Sequence, residues 1–140
     1  MSTKQLFFSW ITVTIVMFGL SCIWHGTVLN DFSRMDYHEP SFFALILVIY
    51  MIIGVLVVKV VNIKFFKRTF ERKYILKGVI KGMICGIVFY LLTAYFGFSF
   101  NTGSGIKNQV TDFIWQMIEQ GVGGGVVGFI RMFTDRYREI

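Results

Sequence analysis

The chain has little of what marks a soluble enzyme or a disulfide-stabilised secreted domain. It contains one proline, two cysteines and eight acidic residues among its 140 positions. Glycine-rich phosphate loops, nucleophile elbows, HExxH and CxxC motifs are all missing, so the sequence gives no support for the reactions that they serve. Cys22 and Cys85 fall in different apolar segments, at depths expected to differ by more than about 10 Å, and we predict two buried free thiols.

Apolar residues dominate what is present. Hydrophobic residues make up 55% of the chain and aromatic residues 18%, and the mean hydropathy is +0.64. This composition is typical of integral membrane proteins. The net charge is +6, but the basic residues lie beside apolar segments. We therefore expect anionic lipid, and no nucleic acid, as the counter-charge.

Four segments are candidates for membrane spans. Residues 6–24, 42–61 and 79–100 are each about 20 residues long, enough to cross the hydrocarbon core as helices. Lys81 lies near the basic end of the third segment, where we expect its side chain to snorkel to the interface. Residues 113–133 are less apolar, because Gln116, Glu119 and Gln120 lie in the first half and Arg131 lies near the end. The first segment is alternatively a signal peptide, although its apolar run is longer than a cleavable core.

The distribution of basic residues orients these segments. The connection 62–77 carries six basic residues against one acidic residue, so the positive-inside rule puts it in the cytoplasm. The basic C-terminal tail returns to the cytoplasm only if 113–133 also spans. We therefore predict an all-α, polytopic four-helix membrane bundle, a single domain over residues 1–140, in the inner (plasma) membrane with both termini cytoplasmic.

The cytoplasmic connection also has helical periodicity. Its apolar residues recur at spacings of three and four, and basic residues occupy the other face. This pattern predicts an amphipathic helix lying in the headgroup layer. Its function is either that of a lipid sensor or that of a topology anchor. The residues predicted to contact anionic headgroups are Lys64, Lys67, Arg68, Arg72 and Lys73.

Glycines recur at four-residue intervals in the third and fourth predicted spans. Small residues four apart let helix backbones approach closely inside lipid. We predict that these glycines pack the two spans of one chain together; a homodimer seam is the alternative. The consecutive glycines of 123–125 are alternatively a hinge, because glycine disfavours helix. The predicted packing glycines are Gly78, Gly82, Gly86, Gly121, Gly124, Gly125 and Gly128.

Polar residues on the fourth predicted span are expected to form a site. Asp112, Gln116, Glu119 and Gly123 follow a four, three, four spacing, which lines one helix face. Glu119 lies about 10 Å inside the outer boundary. This cluster either fixes helix rotation by hydrogen bonding or handles a proton, a cation or a polar headgroup. The residues of other spans expected to join it are His25, Tyr50 and Tyr90.

Three runs carry a family resemblance. They are Trp24-His25-Gly26 followed by Asp31-Phe32, Lys77-Gly78 followed by Gly82 and Gly86, and the stretch from Trp115 through Glu119-Gln120 to Gly125. Together they resemble a loose group of uncharacterised bacterial four-helix inner-membrane proteins. The resemblance implies that fold and no particular activity.

The sequence favours a non-enzymatic accessory, assembly or small binding protein, as a homodimer or part of a larger membrane complex. A small dimeric transporter or channel that uses Glu119 for proton or cation coupling is the alternative. A lipid-modifying enzyme with His25 and Glu119 as acid and base is a third hypothesis. The connection between the first two spans, residues 25–41, is predicted to lie outside and contains Asp31, Asp36, His38 and Glu39. Their spacing matches no established ligand motif, so we predict neither a metal nor a cofactor.

Overall fold

The described part of the chain is entirely helical. A computed structural model describes residues 2–28, 39–63, 74–95 and 106–136, and the all-α prediction is confirmed there. The predicted headgroup helix, with Lys64, Lys67, Arg68, Arg72 and Lys73, lies outside the described residues. The elements are α1 (Thr3–Ile23), a π-helical turn (Trp24–Val28) that continues it, α2 (Glu39–Asn62), α3 (Tyr74–Tyr95) and α4 (Ile106–Arg136).

Within these ranges, three helices are long and apolar enough to cross a membrane, which is consistent with a membrane protein. They span Thr3–Thr27, Phe43–Asn62 and Tyr74–Tyr95. The fourth helix is not among them, although its 31 residues correspond to about 46 Å. Its first half carries Gln116, Glu119 and Gln120, and its middle is rich in glycine, so its hydropathy is lower.

The helices pack as antiparallel neighbours in chain order. Between α1 and α2, the Trp10 indole Nε1 donates to the carbonyl of Met51 at 2.8 Å. Farther along the same pair, the rings of Phe18 and Tyr50 meet edge to face at 6.2 Å. The buried apolar core draws on α1, α2 and α4, and its members are Val13, Met17, Tyr50, Ile53, Val57, Val58, Val61 and Val127.

Lys81 joins α3 to the end of α2, and its snorkelling to the interface stays a prediction. Its side chain is 9% exposed, and its Nζ donates to the Val61 carbonyl at 2.9 Å and to the Ile63 carbonyl. The last carbonyls of a helix have no partners inside the helix and carry partial negative charge. The lysine therefore caps α2, and α3 begins at Tyr74, five residues before the predicted span.

Candidate functional site

The α3–α4 contact brings two backbones together through glycine. A Cβ atom added at Gly78 would collide with the Gly124 carbonyl, and one at Gly82 with the Gln120 carbonyl. A Cβ at Gly86 would lie 2.6 Å from the Gln116 carbonyl. Any side chain at these positions would push the helices apart. The contact thus fixes the rotation of α4 and decides which of its side chains face the other helices.

The glycines of α4 contact two neighbouring helices, α3 and α1. Gly124 and Gly128 meet the α3 backbone, whereas Gly121 and Gly125 face the α3 side chains of Met83 and Val79. Gly123 faces α1 instead, since an added Cβ would lie 2.6 Å from Met17 Sδ. Because successive helical residues point in directions about 100° apart, the glycine triplet is packed on several sides at once. This explains the triplet without a hinge.

Glu119 lies at the meeting point of α1, α2 and α4. Its side chain is 1% exposed, and the Tyr50 hydroxyl and the Trp115 indole N–H are the polar groups that face its carboxyl. From α1, the Cys22 thiol lies within electrostatic range of the same carboxyl. The Ser21 hydroxyl faces Tyr50. The predicted convergence of Glu119 with Tyr50 therefore occurs in this structure.

The polar atoms of this cluster are incompletely hydrogen bonded. Among the described residues, neither carboxyl oxygen of Glu119 has a donor in full hydrogen-bonding geometry, and the buried Trp115 Nε1 has no acceptor. A buried polar group left unpaired costs about 1–3 kcal/mol, and more if it is charged. An unpaired acceptor and an unpaired donor thus face each other.

An aromatic pair covers the cluster on the side of the π-helical turn. The rings of Trp24 and Trp115 stack with centroids 4.2 Å apart and 6° between their planes. Trp115 lies one helical turn before Glu119, so the stack and the carboxyl share a face of α4. Tryptophan at the end of a span is usually an interfacial anchor. The stack instead ties α1 to α4.

Not all predicted site residues join the cluster. The Gln116 side chain accepts a hydrogen bond from Gln120 Nε2 at 3.2 Å, beside the α3 contact. Tyr90 donates to the Gln109 carbonyl at 3.0 Å and packs on Phe113, about 15 Å along α4 from Glu119. Asp112 lies seven residues before Glu119, about 10 Å away along the axis. The polar face predicted from 112 to 123 is therefore divided, because Gln116 lies beside α3 whereas Glu119 faces α1 and α2.

The remaining predicted residue, His25, lies half-buried in the π-helical turn beside Trp24. Ser21 was missed by sequence reasoning. Its signal is the spacing of Thr14, Met17 and Ser21, which at three and four residues defines the buried face of α1. Both cysteines are unpaired, as predicted, but they are half-buried rather than buried.

The donors around Glu119 favour a proton over a metal ion. Hard cations are bound by six or more oxygen ligands, whereas one of the two groups facing this carboxyl is the indole N–H of Trp115, which only donates. Donors oppose a metal cation but stabilise an ionised carboxylate. In the described part of the chain, no group of three or more histidine, cysteine or acidic residues is arranged to hold a metal. The arrangement suits a carboxyl that gains and loses a proton.

Comparison of this chain with protein-family models, curated proteins and solved structures gives no match.

Proposed function

We propose that this chain is a non-enzymatic inner-membrane binding protein in which Glu119 reversibly takes up a proton. The observation that carries the proposal is the carboxyl itself, 1% exposed and without a full hydrogen bond among the described residues. An acidic side chain at membrane depth costs roughly 2.5–3.5 kcal/mol on insertion scales, and such residues commonly mark proton or ion sites. Tyr50 and Trp115 supply donors to the ionised form, and the neutral form matches the apolar surroundings.

The proposal includes α4 as a fourth span, with both termini in the cytoplasm. The distribution of buried and exposed residues around α4 supports this fourth span. Glu119 and Gln120 are buried against other helices, and the exposed side of α4 is apolar, the pattern expected of a helix that faces lipid. The large exposed apolar residues of α4 are Val110, Ile114, Ile118, Val122, Phe129 and Phe133. Antiparallel packing of consecutive helices agrees with an even number of spans.

The proposed partners are anionic lipid and other membrane-protein chains. The basic connection 64–73 contacts anionic headgroups as an interfacial helix. Membership of the group of bacterial four-helix inner-membrane proteins stays a proposal that rests on the motifs quoted above. A homodimer or a larger membrane complex forms through faces other than the α3–α4 seam, because the glycines of that seam are already occupied within one chain.

Infrared difference spectroscopy tests the proton site. Wild type and Glu119→Gln are reconstituted in the same vesicles, and spectra are recorded at acid and alkaline pH. The wild type should lose a carboxylic C=O band at alkaline pH that Glu119→Gln never shows. Asp112→Asn, which removes a carboxyl near the start of α4, is the matched control and should keep the band. Identical pH differences in wild type and Glu119→Gln would refute the proposal.

A proton-coupled transporter is the second candidate, favoured by the position of the carboxyl among three helices. A measurement of proton flux distinguishes a transporter from a binding protein. In proteoliposomes with a pH-sensitive dye inside, a transporter gives proton movement that Glu119→Gln abolishes. A binding protein gives the infrared band without flux.

A further inference from the structure

The structure has a groove at the membrane end opposite the tryptophan stack, between the start of α1 and the end of α4. Its volume is about 410 Å³, within the range of roughly 300–1,000 Å³ typical of small-ligand sites. Phenylalanines from both helices form its walls, and one lysine stands among them. The lining residues are Lys4, Gln5, Phe8, Phe129, Ile130, Phe133 and Thr134.

We propose that this groove binds one anionic phospholipid, with the phosphate on Lys4 and an acyl chain along the phenylalanines. Phe8 is 62% exposed, Phe129 48% and Phe133 45%, so the walls present apolar surface to an occupant. In the proposed topology this end of the molecule meets the cytoplasmic leaflet, which carries the anionic lipids.

The charge around the groove is complementary to a phosphate. The Lys4 side chain is exposed, and the first turn of α1 contains no acidic residue. The N-terminus of a helix carries partial positive charge and exposes backbone N–H groups, which favour anions. The partial positive charge at the N-terminus of α1 thus adds to the charge of Lys4 beside the apolar groove.

Two further polar groups are fixed at the edge of the groove. The Gln5 side-chain carbonyl accepts from the Ser2 backbone N–H at 2.8 Å, and the Gln5 backbone N–H donates to Ser2 Oγ at 3.4 Å. This capping box holds the Gln5 side chain in place, which leaves its amide NH₂ as a donor. The Thr134 hydroxyl donates to the Ile130 carbonyl at 2.9 Å, so that side chain is also fixed.

Native mass spectrometry tests the proposal. The full chain is released from vesicles of equal phosphatidylglycerol and phosphatidylcholine with identical acyl chains, and retained lipid is counted. Wild type should keep one phosphatidylglycerol. Lys4→Gln should lower its retention about fivefold, the change that corresponds to roughly 1 kcal/mol for one basic side chain near an anionic surface. Lys59→Gln, in the last turn of α2 and not part of the groove, is the matched control.

A second variant separates the apolar from the charged contribution. Phe133→Ala keeps Lys4 but removes part of the apolar wall, so it should lower retention of phosphatidylglycerol. In wild type, glycerol phosphate, a soluble headgroup analogue, should fail to compete with the lipid. Equal retention of both lipids by wild type, or equal losses in Lys4→Gln and Lys59→Gln, would overturn the proposal. These results do not depend on the proton site, since Glu119 is intact in every variant.

Discussion

The indole rings of Trp24 and Trp115 stack in parallel at 4.2 Å, which ties the π-helical end of α1 to α4 one turn before Glu119. Aromatic pairs contribute about 0.5–1.5 kcal/mol beyond the area they bury. A double-mutant cycle with Trp24→Leu and Trp115→Leu should give a coupling energy in that range. Unfolding in mixed micelles, followed by circular dichroism, measures it. Additive effects of the two substitutions, within about 0.3–0.5 kcal/mol, would show that the stack contributes nothing specific.

Glycine-to-alanine substitutions should distinguish the effect of the close α3–α4 contact on stability from the effect of helix propensity. Gly82→Ala places a Cβ against the Gln120 carbonyl, so it should lower the free energy of unfolding by about 1–3 kcal/mol through overpacking. Gly19→Ala is the matched control, because nothing lies within 4 Å of an added Cβ there. That variant should be neutral or more stable by up to about 1 kcal/mol. Equal effects of the two substitutions in micelle unfolding would contradict the close α3–α4 contact.

The Lys81 cap makes a separate stability prediction. Lys81→Met keeps a side chain of similar length but leaves the Val61 and Ile63 carbonyls without this donor. It should therefore lower the free energy of unfolding by about 1–3 kcal/mol. Lys77→Met, one turn earlier on the same helix, should change stability by less than about 0.5 kcal/mol. Thermal unfolding in detergent compares the two. If Lys77→Met is the more harmful variant, the cap is not what holds α2 against α3.

Removing the carboxyl should cost function but not stability. Glu119→Met replaces two oxygens that have no full hydrogen bond by an apolar group of similar length, so it removes the cost of burying them unpaired and should be neutral or stabilising. Glu119→Gln keeps polar atoms in the same apolar place, so it should be less stable than Glu119→Met. Denaturation of the two variants in the same micelles gives the comparison. A large loss of stability in Glu119→Met would mean that the carboxyl serves packing, as a hydrogen-bonded cluster that fixes helix rotation.

Sequence patterns predicted the helical class and the approximate positions of the helices, because long apolar runs and their lengths are local properties. The described helix α3 begins at Tyr74, five residues before the predicted span of 79–100, and residues 96–100 lie outside the described part of the chain. Lys81 stands near the basic end of the third predicted span, where the sequence predicts a snorkelling side chain. Whether a lysine meets solvent or caps a neighbouring helix depends on tertiary contact, and the sequence around Lys81 carries no sign of the α2 carbonyls.

The site was predicted in the same partial way. The spacing on α4 singled out Glu119, and the expected membrane depth suggested Tyr50, whose hydroxyl faces the Glu119 carboxyl. Depth alone also suggested Tyr90, which instead bonds to the Gln109 carbonyl, because depth does not say which way a helix is rotated. That rotation follows from backbone contacts at Gly78, Gly82 and Gly86, which exist only once α3 and α4 have met.

The central claim is that α4 crosses the membrane and turns Glu119 toward the other helices. Cysteine labelling tests it in a background with Cys22→Ala and Cys85→Ala, using one added cysteine at a time. In the proposed topology the connection between α3 and α4 lies outside, so Asn101→Cys in that connection should be labelled on intact cells by a membrane-impermeant reagent. Ile140→Cys should be labelled only after the membrane is permeabilised. Labelling of Ile140→Cys on intact cells would contradict the topology, and with it the proton site and the lipid groove on the cytoplasmic side.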